Sequence, residues 1–332
     1  MGITIKDVAK LAKVSTMTVS RVVNNTGTIA VETRKRVLDA IDTLHYKPNT
    51  IARTLVAQKS RIISLIVPDI ANPFFSELIK HAEAEAKRFG YNLFIGDAGW
   101  DITNEREFID SSIGRMSDGV ILVTPRLPDE ELQALSAAIP LVVVDRSMAQ
   151  TKVMDVYVDN YDGAFEATEF LIEAGHERIG YIRGWEDVLN TKRREQGYAD
   201  ALKKHGIPYR SELIQVGDYR EQSGYNAFRY FIELSERPTA VFASNDMMAY
   251  GFISACIQNG VRIPYDISVM GFDDITLFFE HVPRLSTVSH PRIPMIRKAV
   301  DMLLGLPADE ISKFDAELHT ELVIRDSVSR LD

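Results

Sequence analysis

The residues best placed to do chemistry lie in the stretch VSTMTVSRVVNN, residues 14–25. Thr16, Met17, Ser20, Arg21 and Asn24 recur at i, i+1, i+4, i+5 and i+8, on one side of a helix whose other side carries Val19, Val22 and Val23. The chemistry of such a face is recognition. Arg21 can bond a guanine or a phosphate, and Thr16 and Met17 can meet thymine methyls or reject other bases by shape. A preceding helix, TIKDVAKLA, and a tight turn complete a helix-turn-helix pattern whose second helix fits the major groove. An ordinary amphipathic hairpin explains the spacing equally well. Charge separates the two readings. Residues 1–60 hold ten Lys+Arg against four Asp+Glu, a net of +6, and the remainder holds 28 against 43, a net of −15. A basic module on an acidic body suits a polyanionic partner for the module alone.

Catalytic patterns are missing elsewhere. There is no G-x-G-x-x-G after a strand, no G-x-x-x-x-G-K-[ST], no G-x-S-x-G and no H-E-x-x-H, and the seven histidines are scattered. No catalytic residue, metal ligand or cofactor is therefore assigned. The single cysteine, Cys256, excludes an internal disulfide and a cysteine-built zinc site, which fits a reducing compartment. The N-terminus has no apolar signal core, and no apolar run approaches a membrane span. A cytoplasmic protein with no membrane partner is expected. An enzyme and a secreted sugar-binding protein are the rival readings; the missing catalytic motifs count against the first, and the missing signal and the basic headpiece against the second.

The elements that position these residues follow from periodicity. Residues 4–46 read as three short helices: Ile5, Val8, Ala9 and Ala12 on the first, the opening stretch with Ser15 as N-cap, and 31–44 with Val37, Ile41 and Leu44 inward. Pro48 disfavours helix at Lys47, and Asn49 can cap a short segment, TIARTLVA, that is too poor in apolar residues to fold without a partner. From residue 61 apolar runs alternate with amphipathic helices. The runs are IISLIV (62–67), YNLFIG (91–96), GVILVT (119–124), LVVVD (141–145), RIGYI (178–182), TAVFAS (239–244) and ISVMGF (267–272); the helices are near 73–89, 103–116, 163–175, 192–205, 221–235 and 246–259. Continuous apolar strands with crossover helices predict parallel sheets covered on both faces, in two halves near 61–160 and 161–290, with ligand in the crevice beyond the strand ends.

The combination TIKDVAKLAKVSTMTVSRVVNN, TRKRVLDAIDTLHYKPNTIARTL, DIANPFFSEL, SDGVILV, GHERIGYIRG, RREQGYADAL, PTAVFASNDMMAYG, ISVMGFDD and LSTVSHP spans the chain. It resembles the lactose/galactose repressor family of bacterial transcription regulators. The resemblance implies a headpiece (1–47), a hinge and linker (48–60), and a periplasmic-binding-protein-like body (61–332) of two doubly wound subdomains, about 61–160 plus 290–319 and about 161–289 plus 320–332. It implies a homodimer reading a pseudo-palindromic operator in double-stranded DNA, and it allows a protein co-regulator. Thr16, Met17 and Arg21 stand where the family reads bases. Thr4, Ser15, Ser20, Asn24, Thr33 and Asn49 stand where it holds backbone or supports contacts. Leu55 stands where a hinge leucine wedges into the minor groove, and Ala52, one turn back, lets that helix approach. Two departures suggest a headpiece of modest stability. Lys13 replaces a turn glycine, and a left-handed lysine costs about 1 kcal/mol. Ala30 replaces a capping hydroxyl, at a cost of about 1 kcal/mol.

A sugar-like effector needs polar groups for hydroxyls and aromatic faces for the ring. At positions matching the family's pocket stand Phe74, Phe75, Asp145 and Arg146 from the first half, and Asn190, Arg194, Tyr219, Asn245 and Asp273 from the second. One of the two phenylalanines is expected in the core, and Arg146 and Asp246 also fit structural roles. Lys192, Arg193 and Arg194 are consecutive and cannot all face one ligand. With Arg146 and Arg183 near the pattern, a sugar, a sugar acid or a sugar phosphate all stay open. The expected function is a repressor of carbohydrate-utilisation genes whose operator affinity such an effector controls.

Overall fold

The computed structural model describes residues 3–23, 26–46, 59–276, 283–311, 313, 315 and 318–331. The chain divides into two units, Met1–Ser60 and Arg61–Asp332. In the first, α1 (Ile5–Ala12), α2 (Thr16–Val23) and α3 (Val31–Leu44) bury Val8, Ala9, Ala12, Val19, Val22, Val37 and Ala40 against one another. The Asp7 carboxylate accepts from both the amide (2.9 Å) and the hydroxyl (2.7 Å) of Thr4, pinning the start of α1. These bonds hold the Asp7 carboxyl below its ordinary range. Lys13 adopts φ 54°, ψ 49°, the left-handed turn that the sequence implied, and Ala30 gives α3 no side-chain cap. The Ser15 hydroxyl accepts from the Thr18 amide at 3.1 Å and so caps α2.

The second unit contains two parallel sheets. Strands β1 (Ile62–Val67), β2 (Asn92–Asp97), β3 (Gly119–Val123), β4 (Leu141–Val144) and β5 (Met154–Val156) form a sheet in the order β2-β1-β3-β4-β5. Its crossovers are α4 (Pro73–Arg88), α5 (Ile102–Gly114) and α6 (Asp129–Ser136). After α7 (Asn160–Glu173), strands β6 (Ile179–Arg183), β7 (Ile214–Val216), β8 (Ala240–Ala243) and β9 (Ser268–Met270) form the order β7-β6-β8-β9. Helices α8 (Leu189–Lys204), α9 (Glu221–Glu233) and α10 (Asp246–Gln258) cover it. Leu65 pairs in register with Ile95 and Ile121, and Tyr181 with Phe242, so the apolar runs become sheet interior. Both strand orders reverse direction after the first strand, which opens a crevice at the C-terminal strand ends.

The chain then returns. β10 (Thr287–Ser289) and β11 (Glu321–Val323) pair antiparallel, and α11 (Arg292–Leu303) packs Met295, Ile296, Ala299 and Val300 onto the first sheet and α4. A short α12 (Ala308–Ile311) follows. A side chain on Gly224 would fall 1.9 Å from the Met248 carbonyl, so α9 and α10 meet backbone to backbone. The sequence reading leaves out β5, β7, β10, β11, α6, α11 and α12. The strands are three residues long, α12 is four, and α6 buries only Leu132, and too short a window carries no period. α11 does carry one, in Met295, Ile296, Ala299 and Val300. No described helix is long and apolar enough to cross a membrane.

Candidate effector cleft and nucleic-acid interface

In the headpiece the valine seat leaves Thr16, Met17 and Arg21 exposed, with Met17 at 64%. Ser20 on α2 and Thr33 on α3 are half-buried, and Thr4 and Ser15 are exposed at the starts of α1 and α2. Asn24, Asn49, Ala52 and Leu55 lie outside the described residues.

The second unit brings together Phe74, Phe75, Asp145, Asn190, Arg194, Tyr219, Asn245 and Asp273 around one cavity of about 30 Å³, with Asn72, Trp100 and Thr124. Five of these residues, Trp100, Thr124, Asp145, Tyr219 and Asp273, have positive φ. Each non-glycine residue held there costs about 1 kcal/mol or more, and such strain gathers at functional sites. The left-handed turn at the end of a strand aims the side chain into the crevice. Both phenylalanines line the cavity and both are buried in the core; they meet edge to face at 5.1 Å.

Asp145 is the most heavily bonded group. Its carboxylate accepts from Asn190 (2.6 Å), Asn160 (3.2 Å) and Thr124 (3.3 Å). His290 Nε2 lies 3.1 Å away, off the line of a good hydrogen bond. Burial pushes the Asp145 carboxyl up, but His290, Arg194 and the Asn160 donor outweigh it and leave it below its ordinary value. Arg194 sits over the Phe272 ring with its guanidinium carbon 3.7 Å from the centroid, donates to Asn160 Oδ1 at 2.7 Å and to the Ser244 carbonyl, and faces Asp273 at 3.6 Å. Asp273 is buried at that distance from its cation, and burial pushes its carboxyl up to about 6 against the pull of Arg194, His290 and Arg292. Tyr219 sits where a side chain on Gly184 would fall 2.1 Å from its ring; burial pushes its phenol up to about 12, and its hydroxyl meets Thr191 at 2.5 Å. Asn245 caps α10 through the Met248 amide and donates to the Tyr219 carbonyl, both at 3.0 Å.

Arg146 is a correction. It does not line the cavity: it donates to the carbonyls of Pro125 (2.9 Å) and Leu127 (2.7 Å) and pairs with Asp129. The turn that aims Asp145 inward sends the next side chain away, where it braces the loop after β3. Glu105 braces the same loop by accepting from the amides of Arg126 and Leu127. Asp246 is structural too, accepting from Thr287 (2.6 Å) and the Ile275 amide (2.9 Å). Lys192 and Arg193 are exposed while Arg194 is buried, as successive helical directions require, and Arg183 turns to Glu195. Sequence reasoning missed Asn72, Trp100, Thr124, Asn160 and His290. Their one linear signal is position, just beyond apolar strands or ahead of helices.

The two halves touch directly across the crevice. Asn190 Nδ2 bonds both the carbonyl and the carboxylate of Asp145, Arg126 Nε donates to Asp187 at 2.9 Å, Arg220 Nε meets Asp69 at 3.3 Å, and Trp100 stacks on Tyr219. A cavity of 30 Å³ holds about one water molecule, so a larger ligand must part the halves.

A helix-turn-helix module joined to a two-halved body with a polar and aromatic crevice defines a ligand-controlled DNA-binding regulator. Residues 4–49 match the model of bacterial regulatory proteins of the lacI family, and residues 168–328 match a periplasmic binding protein-like domain. The repressor CytR of Escherichia coli (strain K12) is 37% identical over 330 residues, 99% of this chain and 97% of that protein. The lac repressor dimer bound to operator and the anti-inducer ONPF superposes with a TM-score of 0.86 at 26% identity, covering 99% of this chain and all of that one. The regulator CelR in complex with cellobiose gives 0.70 at 28% identity, covering 98% and 99%. The chain belongs to the LacI family of transcription regulators. It is a repressor-type DNA-binding protein under small-molecule control, not an enzyme.

Proposed function

We propose that this regulator is a cytoplasmic homodimer that represses carbohydrate-utilisation genes and that its effector is an uncharged, hydroxyl-rich sugar. The observation that carries the effector class is the charge of the cavity. Among the described residues that line it, Arg194 is the only cation, and it faces two carboxylates, Asp145 and Asp273. Arg146 and Arg183 turn elsewhere. A sugar acid or phosphate would bring further negative charge beside two carboxylates that already engage Arg194, His290 and Arg292, and burying unpaired charge is costly. Neutral hydroxyls instead supply the donors that the Asp273 carboxylate calls for.

Thr16, Met17 and Arg21 read bases, and Thr4, Ser15, Ser20, Asn24, Thr33 and Asn49 hold backbone, while Leu55, with Ala52 beside it, wedges the operator centre. The exposure of Thr16, Met17 and Arg21 on α2, and of Thr4 and Ser15 at the starts of α1 and α2, supports this assignment. Effector and operator each favour one arrangement of the body, so their affinities are reciprocally coupled. A thermal-shift screen of the full chain against neutral sugars, sugar acids and sugar phosphates tests the effector class. Stabilisation by a neutral sugar, abolished in Asp273→Asn, is the expected result. Stabilisation by phosphates or acids alone overturns it.

A further inference from the structure

Charge closes the crevice as well as packing. Arg126, in the loop after β3 of the first half, donates to the Asp187 carboxylate of the second half through Nε (2.9 Å) and Nη2. Arg220, in the loop after β7 of the second half, reaches back to Asp69, after β1 of the first, with Nε 3.3 Å from the carboxylate. Each half thus lends one arginine and receives one. The two pairs are built differently. Arg126 is half-buried; its guanidinium also donates to the Trp100 carbonyl and lies 5.8 Å from the Trp185 ring centroid, so both halves fix its direction. Arg220 is exposed, and its partner Asp69 is the half-buried member, held in its own loop by the Ala71 amide at 3.0 Å.

Their place in the sheets gives these pairs leverage. They join the end of β3 to the end of β6 and the end of β1 to the end of β7, on the β2 side of the first sheet and the β7 side of the second. The chain crosses between the halves on the other side, from β5 into α7 and at His290 between β10 and α11, where β10 bridges to the β9 edge through Met270–Ser286 and Asp273–Ser289. Halves hinged on one side part most widely on the other, which is where the pairs sit. Range matters too. Asn190 on Asp145 and Trp100 on Tyr219 act only at contact. Opposite charges attract out to a Debye length of about 8 Å at physiological salt. The pairs therefore still pull on halves that have begun to part, and their exposed members, Asp187 and Arg220, leave that pull open to screening by salt.

We propose that Arg126–Asp187 and Arg220–Asp69 are latches that make the closed body the resting state of this regulator, so that the chain's own charges shut the crevice and a ligand enters only when they release. Closure leaves a cavity of about 30 Å³, room for one water, so the latches gate any larger molecule. The proposal holds whichever ligand the crevice takes and does not rest on the neutral-sugar reading. It has a consequence for control. The apparent affinity for a ligand that holds the halves apart is its intrinsic affinity reduced by the fraction of molecules that are open. Asp187 and Arg220 do not line the inner cavity, so weakening the latches there tightens every such ligand by one common factor.

The test measures the separation of the halves in the full chain with no ligand added. Spin labels on two introduced cysteines, Glu107→Cys on α5 and Lys203→Cys on α8, both exposed and one in each half, report that distance by pulsed dipolar spectroscopy. The native Cys256 is buried, out of reach of the label. The parent is expected to be closed at about 0.05 M salt and to gain an open population at about 0.5 M, where the Debye length is shorter than the gap. Asp187→Asn with Arg220→Gln should raise the open-to-closed ratio about two- to fivefold for each pair and blunt its dependence on salt. Asp187→Glu with Arg220→Lys keeps both charges and should stay closed. A parent that is open at low salt, a ratio unmoved in the neutral variant, or equal opening in the charge-conserving variant overturns the latches. A parent whose ratio ignores salt overturns them as well, and that measurement needs no change to the four latch residues.

Discussion

Asp273 should destabilise the empty protein at neutral pH, and Asp273→Asn should relieve that cost. Its carboxyl titrates near 6 in the folded chain, because burial penalises the charged form more than Arg194, His290 and Arg292 favour it. In the unfolded chain an aspartate titrates near 3.9. The folded state therefore holds the proton more tightly. Its stability falls as pH rises between about 4 and 6 and stays reduced above that window. A difference of about two pH units corresponds to roughly 3 kcal/mol at pH 7 to 8. Asparagine mimics the neutral carboxyl in size and polarity, so Asp273→Asn should be more stable than the parent by up to about 3 kcal/mol at pH 8 and equal to it near pH 4. For a body of this size that is a rise of roughly 6–12 °C in melting temperature. The assay is the melting temperature of both full-length proteins from pH 4 to 8, by scanning calorimetry. Parallel curves, or a variant less stable than the parent at pH 8, would refute the reasoning. A site kept at such a cost belongs to a ligand whose donors repay it on binding.

Other consequences follow from the same geometry. Neutral-sugar affinity should weaken as pH falls through about 6, because a protonated Asp273 loses acceptor capacity; isothermal titration at pH 5 and 7.5 checks the direction. Asp145→Ala strands the Asn190 and Asn160 donors and His290, at about 1–3 kcal/mol for each buried group. A melting temperature lowered by less than about 2 °C would contradict that network. Lys13→Gly should stabilise the headpiece by about 1 kcal/mol, since φ 54° suits glycine; equal thermal midpoints by circular dichroism would argue against strain there. Arg21→Ala should weaken operator binding by about 1–3 kcal/mol at fixed salt, and an unchanged binding isotherm removes Arg21 from base reading.

Much of the fold is legible in linear order because burial writes a period into the chain. IISLIV, GVILVT and TAVFAS are apolar at nearly every position, and a parallel strand covered on both faces uses such a run. The second helix announces itself through Val19 and Val22, whereas Lys13 carries no turn signal of its own and its left-handed turn is implied only by the family resemblance. Short edge strands such as residues 214–216 bury too little to leave a pattern. The cleft is less legible. Asp145 and Asp273 end strands, and that much is visible in sequence; Arg146 stands next to Asp145 and looks equally eligible. Only the left-handed backbone at Asp145 separates the two.

By itself, then, the sequence determined the class: a basic helical module with a readable face on an acidic body of two α/β halves. Charge segregation and hydrophobic period are local properties, and they survive in one dimension. Which side chains share the crevice was decided by tertiary structure, because Trp100, Asp145, Arg194, Tyr219 and His290 come from separate loops and helices. The charge available to a ligand was decided there too. Arginines 146, 183 and 194 look alike in the chain, yet only Arg194 points inward, since a helix turn or a strand-end twist sends a side chain toward the cavity or away from it.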